Sequence, residues 1–122
     1  MNDSFDTPIF TKTYDFYKEI YALRNTLPKQ DRYAIWQKVE NATLEILEII
    51  LIATSLSKNE KAEVLENASK KLNILRVFIR LSKDIKAIDN KKYIALQEKL
   101  DELGRMLGGW IKSTKTPELK SF

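Results

Sequence analysis

Between Lys70 and Lys86 the chain carries six basic residues (Lys70, Lys71, Arg76, Arg80, Lys83, Lys86) and one acid, Asp84. From Lys58 to Ile88 there are eight Lys/Arg and four Asp/Glu, enough to account for the net charge of +4 of the whole protein. At 100° per residue, Arg76, Arg80 and Lys83 share a stripe with Ser69 and Asn73 that is only about 80° wide. Cations four residues apart on a helix repel each other, at a cost of a few tenths of a kcal/mol per pair. A helix that keeps such a pair with no acid beside it calls for an anionic partner: RNA or DNA, an acidic protein surface, or a carboxylate from elsewhere. Arg76, Arg80, Lys83 and Asn73, flanked by Lys70 and Lys86, are therefore the candidate nucleic-acid- and partner-binding residues. The bland alternative is a solvated face, as charge runs usually are. Arg76 and Arg80 lie off the apolar rows of their helix, so replacing both should leave the fold intact.

Other chemistry has little to work with. The chain has neither Cys nor His. It therefore lacks the commonest general base, the commonest transition-metal ligand, any thiolate site and any Ser-His or Cys-His nucleophile pair. Carboxylates remain. Glu45/Glu48, Asp101/Glu102 and Glu40/Glu45 are conceivable metal ligands, but a carboxylate-bridged di-metal bundle uses Glu-x-x-His motifs that are absent here. Glu98 and Glu102 beside Lys99 and Arg105 read as surface pairing. The expectation is a non-enzyme without metal or cofactor. Tyr14, Tyr17, Tyr21 and Tyr33 could stack on bases near a basic patch, although aromatic residues at helical spacing more often belong to a core.

A chain of 122 residues with 43% apolar and 31% charged residues forms one globular domain. Its beginning lacks the basic and apolar regions of a signal peptide. Its longest clean apolar run, Ile49 to Ala53, falls far short of the roughly 20 residues of a membrane span. A soluble, cytoplasmic protein with no membrane partner is expected.

The elements that must position the stripe are four amphipathic helices, with no strand. Thr7 caps the first, Pro8 occupies its first position, and it runs to about Leu27, where Pro28 stops it. The second spans about Asp31 to Thr54. Its two apolar rows, Trp36/Thr43/Leu47/Ile50 and Ile35/Val39/Ala42/Ile46/Ile49/Ala53, make an arc wider than one small bundle consumes. Ser57 and Glu60 form a capping box for the third. That helix carries Leu65/Ala68/Leu72/Leu75/Ile79/Ser82 in one row and Ile74/Phe78/Leu81/Ile85/Ile88 in another. Lys71 and Lys86 fall within its apolar arc and should snorkel outward. The fourth begins at Asp89 or Asn90 and presents Tyr93, Leu96, Leu100, Leu103 and Leu107. The fold class is all-α, an antiparallel up-down four-helix bundle over residues 9–112. A short segment, 1–8, precedes it, and a flexible polar tail, 113–122, follows.

All three glycines fall within Gly104-Arg105-Met106-Leu107-Gly108-Gly109-Trp110. Gly104 and Gly108, four apart, make a smooth face for close helix packing, within the bundle or between subunits. The alternative is that Gly108-Gly109 ends or kinks the helix. With no strand before them they are not a phosphate loop.

Three segments carry a resemblance: Arg32-Tyr-Ala-Ile-Trp-Gln-Lys-Val-Glu-Asn-Ala-Thr-Leu-Glu-Ile-Leu-Glu, Leu75-Arg-Val-Phe-Ile-Arg-Leu-Ser-Lys-Asp and Gly104-Arg-Met-Leu-Gly-Gly-Trp-Ile-Lys. Together, over roughly Tyr14 to Lys112, the sequence resembles the accessory variability determinant proteins of diversity-generating retroelements. More distantly it is similar to the four-helix proteins encoded by intervening sequences in large-subunit ribosomal RNA. The first resemblance implies a four-helix protomer in a positively charged homopentameric ring. It also implies a non-enzymatic partner of the retroelement reverse transcriptase that binds nucleic acid. Arg76 and Arg80, with Lys83 in register, match the basic positions that carry those interactions in the family. The rival reading is a structural or toxin-antitoxin-like oligomer whose stripe pairs with carboxylates of neighbouring subunits.

Overall fold

The computed structural model describes residues 7–115; the expected segment before Thr7 and the expected tail from residue 116 onward lie outside them. Four long helices fill the described chain, α1 (Pro8–Leu23), α2 (Ile35–Ala53), α3 (Lys58–Asp84) and α4 (Asn90–Lys115), with short helical turns at Arg24–Thr26 and Lys29–Arg32. Each helix packs on its neighbours in sequence and α1 closes on α4, giving an antiparallel up-down bundle. Among the described residues no helix is long and apolar enough to cross a membrane.

Local chemistry sets most helix ends. The Thr7 hydroxyl accepts the Phe10 N–H at 3.4 Å, and Pro8 sits where no N–H is needed. Ser57 and Glu60 form the full capping box, with Ser57 N–H donating to Glu60 Oε1 at 3.2 Å. Asp89 accepts the Lys92 N–H at 2.8 Å, a bond to the ionised form that holds its carboxyl below the ordinary range. Its support for α4 is thus complete above the ordinary carboxylate range and fades as pH falls through the lowered value.

The structure departs from the sequence expectations at four ends. α1 stops at Leu23, and Leu27 is extended (ψ 154) because Pro28 follows. The second helix is not continuous from Asp31: Ala34 (φ −119, ψ −102) breaks it, and α2 starts at Ile35. That bend turns the fully buried Trp36 into the core, where its indole N–H donates to the Ile20 carbonyl at 2.8 Å. α4, in contrast, runs through Gly104, Gly108 and Gly109 to Lys115, so Ser113–Lys115 are helical.

α3 ends at Asp84, and Lys86 lies in the left-handed region at φ 67. The Lys86 N–H reaches Lys83 O at 2.9 Å and the Ala87 N–H reaches Ser82 O at 2.8 Å. This is a Schellman cap with lysine at the position usually held by glycine. Lys86 therefore stands beyond the helix and is not part of its face.

The core holds Phe16, Ile20, Trp36, Ile50, Leu65, Leu75, Ile79, Leu96 and Leu100. Thr13, Thr43 and Ser82 are buried among them and return their hydroxyls to the carbonyls of Ile9, Val39 and Phe78 at 2.8–2.9 Å. If the left-handed Lys86 is a conformational cost, Lys86→Gly should stabilise the protein by about 1 kcal/mol. A melting temperature a few degrees above the parent's is the expected result; an unchanged or lower one would contradict it.

Candidate nucleic-acid interface

The basic stripe exists on α3, but its members are not equivalent. Arg76 folds across to α4. Its Nη1 donates to the Asp101 carboxylate and its Nη2 to the Leu100 carbonyl at 3.2 Å, while Gln97 Nε2 donates to the Arg76 carbonyl at 3.1 Å. The cation thus finds its carboxylate within the same chain. Arg76 is a tie between two helices, so its replacement would remove contacts between α3 and α4 as well as a cation of the stripe.

Gly104 is the other half of that tie. A Cβ placed there would come within 2.8 Å of Arg76 Nη2 and 3.5 Å of Leu72 Cδ2. The guanidinium lies in the space a missing side chain leaves, which is how it reaches a main-chain carbonyl of α4. Around Gly108, among the described residues and apart from its chain neighbours and the adjacent backbone of its own helix, no atom lies within 4 Å of a Cβ position. Among the described residues, no other helix of the bundle approaches Gly108.

Lys83 is drawn toward α4 as well, with Nζ 4.5 Å from the Tyr93 ring centroid and 3.5 Å from Asp84. Arg80 and Asn73 are exposed, and among the described residues neither has a side-chain partner. Lys70, near them in sequence, is exposed too. Lys71 pairs with Glu45 of α2 at 3.0 Å. Of the stripe, then, Arg80 is the cation most available to an external anion.

Beside Arg80 runs a feature of equal interest. Ile74, Val77 and Leu81 of α3 and its capping residue Ile85 are 42–60% exposed and lie within about 80° of one another about the helix axis. The second apolar row expected from the sequence is therefore only partly consumed by the bundle: Ile88 is buried and Phe78 half-buried, while the rest faces outward. Ile74 and Phe78 border a groove against Lys38, Asn41 and Ala42 of α2. Four exposed apolar side chains in a row on one helix mark an interaction surface.

The carboxylates offer little chemistry. Among the described residues no three Asp or Glu converge as metal ligands would. Glu40 is buried and gripped bidentately by Arg24, with Nη2–Oε1 at 2.5 Å and Nε–Oε2 at 3.1 Å. That bond raises the Arg24 pKa further, and burial, then the Glu40 charge, pushes the Tyr17 hydroxyl up. Tyr14, Tyr21 and Tyr33 are exposed, and Tyr21 lies under Arg24 at 5.1 Å. Sequence reading missed the Arg24–Glu40 pair because its halves sit on different elements with no periodic relation.

The bAvd-like family model matches residues 9–114. The chain belongs to that family. It comprises the bacterial accessory variability determinants, so this is a retroelement accessory protein of an accessory, non-catalytic family. No curated protein matches the sequence. The match spans all four helices, the bend at Tyr33–Ala34 and the glycine segment.

The Gly104–Arg76 contact has a measurable signature. Gly104→Ala gains about 1 kcal/mol of helix propensity but displaces the guanidinium. It should stabilise the Arg76→Ala protein by roughly that amount and the parent by clearly less. Equal effects in the two backgrounds, in thermal or urea melts, would mean the contact carries no energy.

Proposed function

We propose that the protein acts as a homo-oligomeric accessory subunit that binds nucleic acid and the retroelement reverse transcriptase, with five copies being what the family resemblance implies. The observation that carries this reading is the pairing, on one outward side of α3, of an exposed Arg80, unpartnered among the described residues, with the apolar stripe Ile74–Val77–Leu81–Ile85. Membership of an accessory family supports the setting. The apolar stripe serves assembly: left in water it is a liability, and a second copy of the chain would cover it. Arg80, Asn73 and Lys83 then stand at the edge of that contact, and each added copy repeats them, so weak phosphate contacts act together.

Two measurements test it. Arg80→Ala touches no described partner, so stability should change by no more than about 0.5 kcal/mol. Affinity for RNA should fall regardless of sequence, and the slope of log affinity against log salt should shrink by about one for each phosphate no longer neutralised. A folded Arg80→Ala protein with the parent's affinity and slope would make the stripe a solvated face.

The second measurement is assembly. Val77→Asp with Leu81→Asp puts charges on the exposed stripe without entering the core. Light scattering should show the parent as an oligomer and the double variant as a folded species of lower mass. A monomeric parent at micromolar concentration, or a variant that assembles normally, would refute the role given to this face.

A further inference from the structure

Cross-helix contacts fix which residues lie at the same height in the bundle. Lys12 meets Glu102 and Lys99 meets Glu19, each at 3.2 Å; Arg76 meets Asp101, Lys71 meets Glu45, and Trp36 meets Ile20. These contacts set residues near 15, 41, 75 and 101 on one level. Residues 16–40 and 76–100, on the side of both the α1–α2 and the α3–α4 connections, hold twelve Lys/Arg and six Asp/Glu, a net of +6. The remaining described residues (7–15, 41–75 and 101–115) hold eight of each and are neutral. The excess charge of the protein is thus a property of one end of the bundle, not of one helix.

Three lysines at that end sit where structural chemistry disfavours them. Lys86 occupies the left-handed cap position at φ 67. Lys91 and Lys92 lie in the first turn of α4, which contains no acid, at the positive end of the helix dipole. Lys86 and Lys91 are exposed, Lys91 with only a through-space attraction to Asp89, and Lys92 reaches Asp89 at 3.6 Å. Lys86, Lys92 and Lys83 border an open recess that Thr26, from the other connection, closes on the far side. Asp84 and Asp89 also line it, but Asp89 is engaged by the Lys92 N–H.

We infer that this end of the bundle, with Lys86, Lys91 and Lys92 at its centre, is the main contact surface for the sugar–phosphate backbone of nucleic acid, Arg80 forming its flank. The inference rests on the nucleic-acid binding proposed above and adds where that binding occurs. Spread, flexible ammonium groups act as point charges that can each meet a different phosphate of a repeating backbone. An acidic protein partner is the alternative occupant.

The test compares two triple variants of the full chain with equal charge. One is Lys86→Gln, Lys91→Gln and Lys92→Gln; the other is Arg105→Gln, Lys112→Gln and Lys115→Gln, on the opposite end of α4. Binding of a labelled single-stranded RNA of mixed sequence is followed over a salt series, with melting recorded in parallel. The first triple should melt no lower than the parent, since two cations leave a helix N-terminus. Its salt slope should fall by about 2 and its affinity at physiological salt by roughly tenfold to hundredfold. The second should weaken far less. Equal weakening, or a larger effect in the second triple, overturns the assignment to this end while leaving nucleic-acid binding in place. A parent that binds no RNA removes both, and points to the acidic-protein alternative.

Discussion

The contact between Arg76 and the bare backbone at Gly104 ties α3 and α4, the two longest helices, together at one height. The guanidinium reaches Leu100 O and the Asp101 carboxylate through the space that the missing side chain leaves at Gly104. Gln97 answers from α4 to the Arg76 carbonyl, so the two helices are tied in both directions at one height. Much follows from that registration. It brings Tyr93 under Lys83, and it leaves Arg80, one turn further along, facing outward.

Each of the four seams has a charge pair of the same kind. Lys12–Glu102 and Lys99–Glu19 close α1 on α4, Arg24–Glu40 joins the end of α1 to α2, Lys71–Glu45 joins α2 to α3, and Arg76–Asp101 joins α3 to α4. Most are half-exposed and individually worth little. Arg24–Glu40 differs, because its carboxylate is buried and would be left charged without its partner. Hydrophobic burial holds the bundle together; the pairs add a preference for one arrangement of neighbours over its alternatives.

What could be read from the sequence was what is local and periodic. Thr7–Pro8, the Ser57–Glu60 box and the row from Leu65 to Ser82 each depend on residues three or four apart, and all appear in the structure as expected. The bend at Tyr33–Ala34 was hidden because the demand for it comes from Trp36 reaching Ile20, sixteen residues away. The end of α3 was hidden because lysine stands where glycine would have announced the cap. The glycines of α4 stay helical because Leu103 and Leu107, on the same turns, are buried in the core. For the site, spacing alone disclosed the stripe, but that Asp101 holds Arg76 and that Lys91 and Lys92 lie beside Lys86 depends on how the connections fold back. Charge counted by end rather than by helix would have shown the second point once an up-down topology was assumed.

Among the described residues, a net charge of +6 on one half and none on the other makes the bundle an electric dipole along its helices. A polyanion at a distance exerts a torque on such a body and turns the charged end toward itself before contact. Rotation about an axis parallel to the helices leaves that direction unchanged, so copies related in this way add their dipoles. An assembly of copies so related would have two electrically unlike sides.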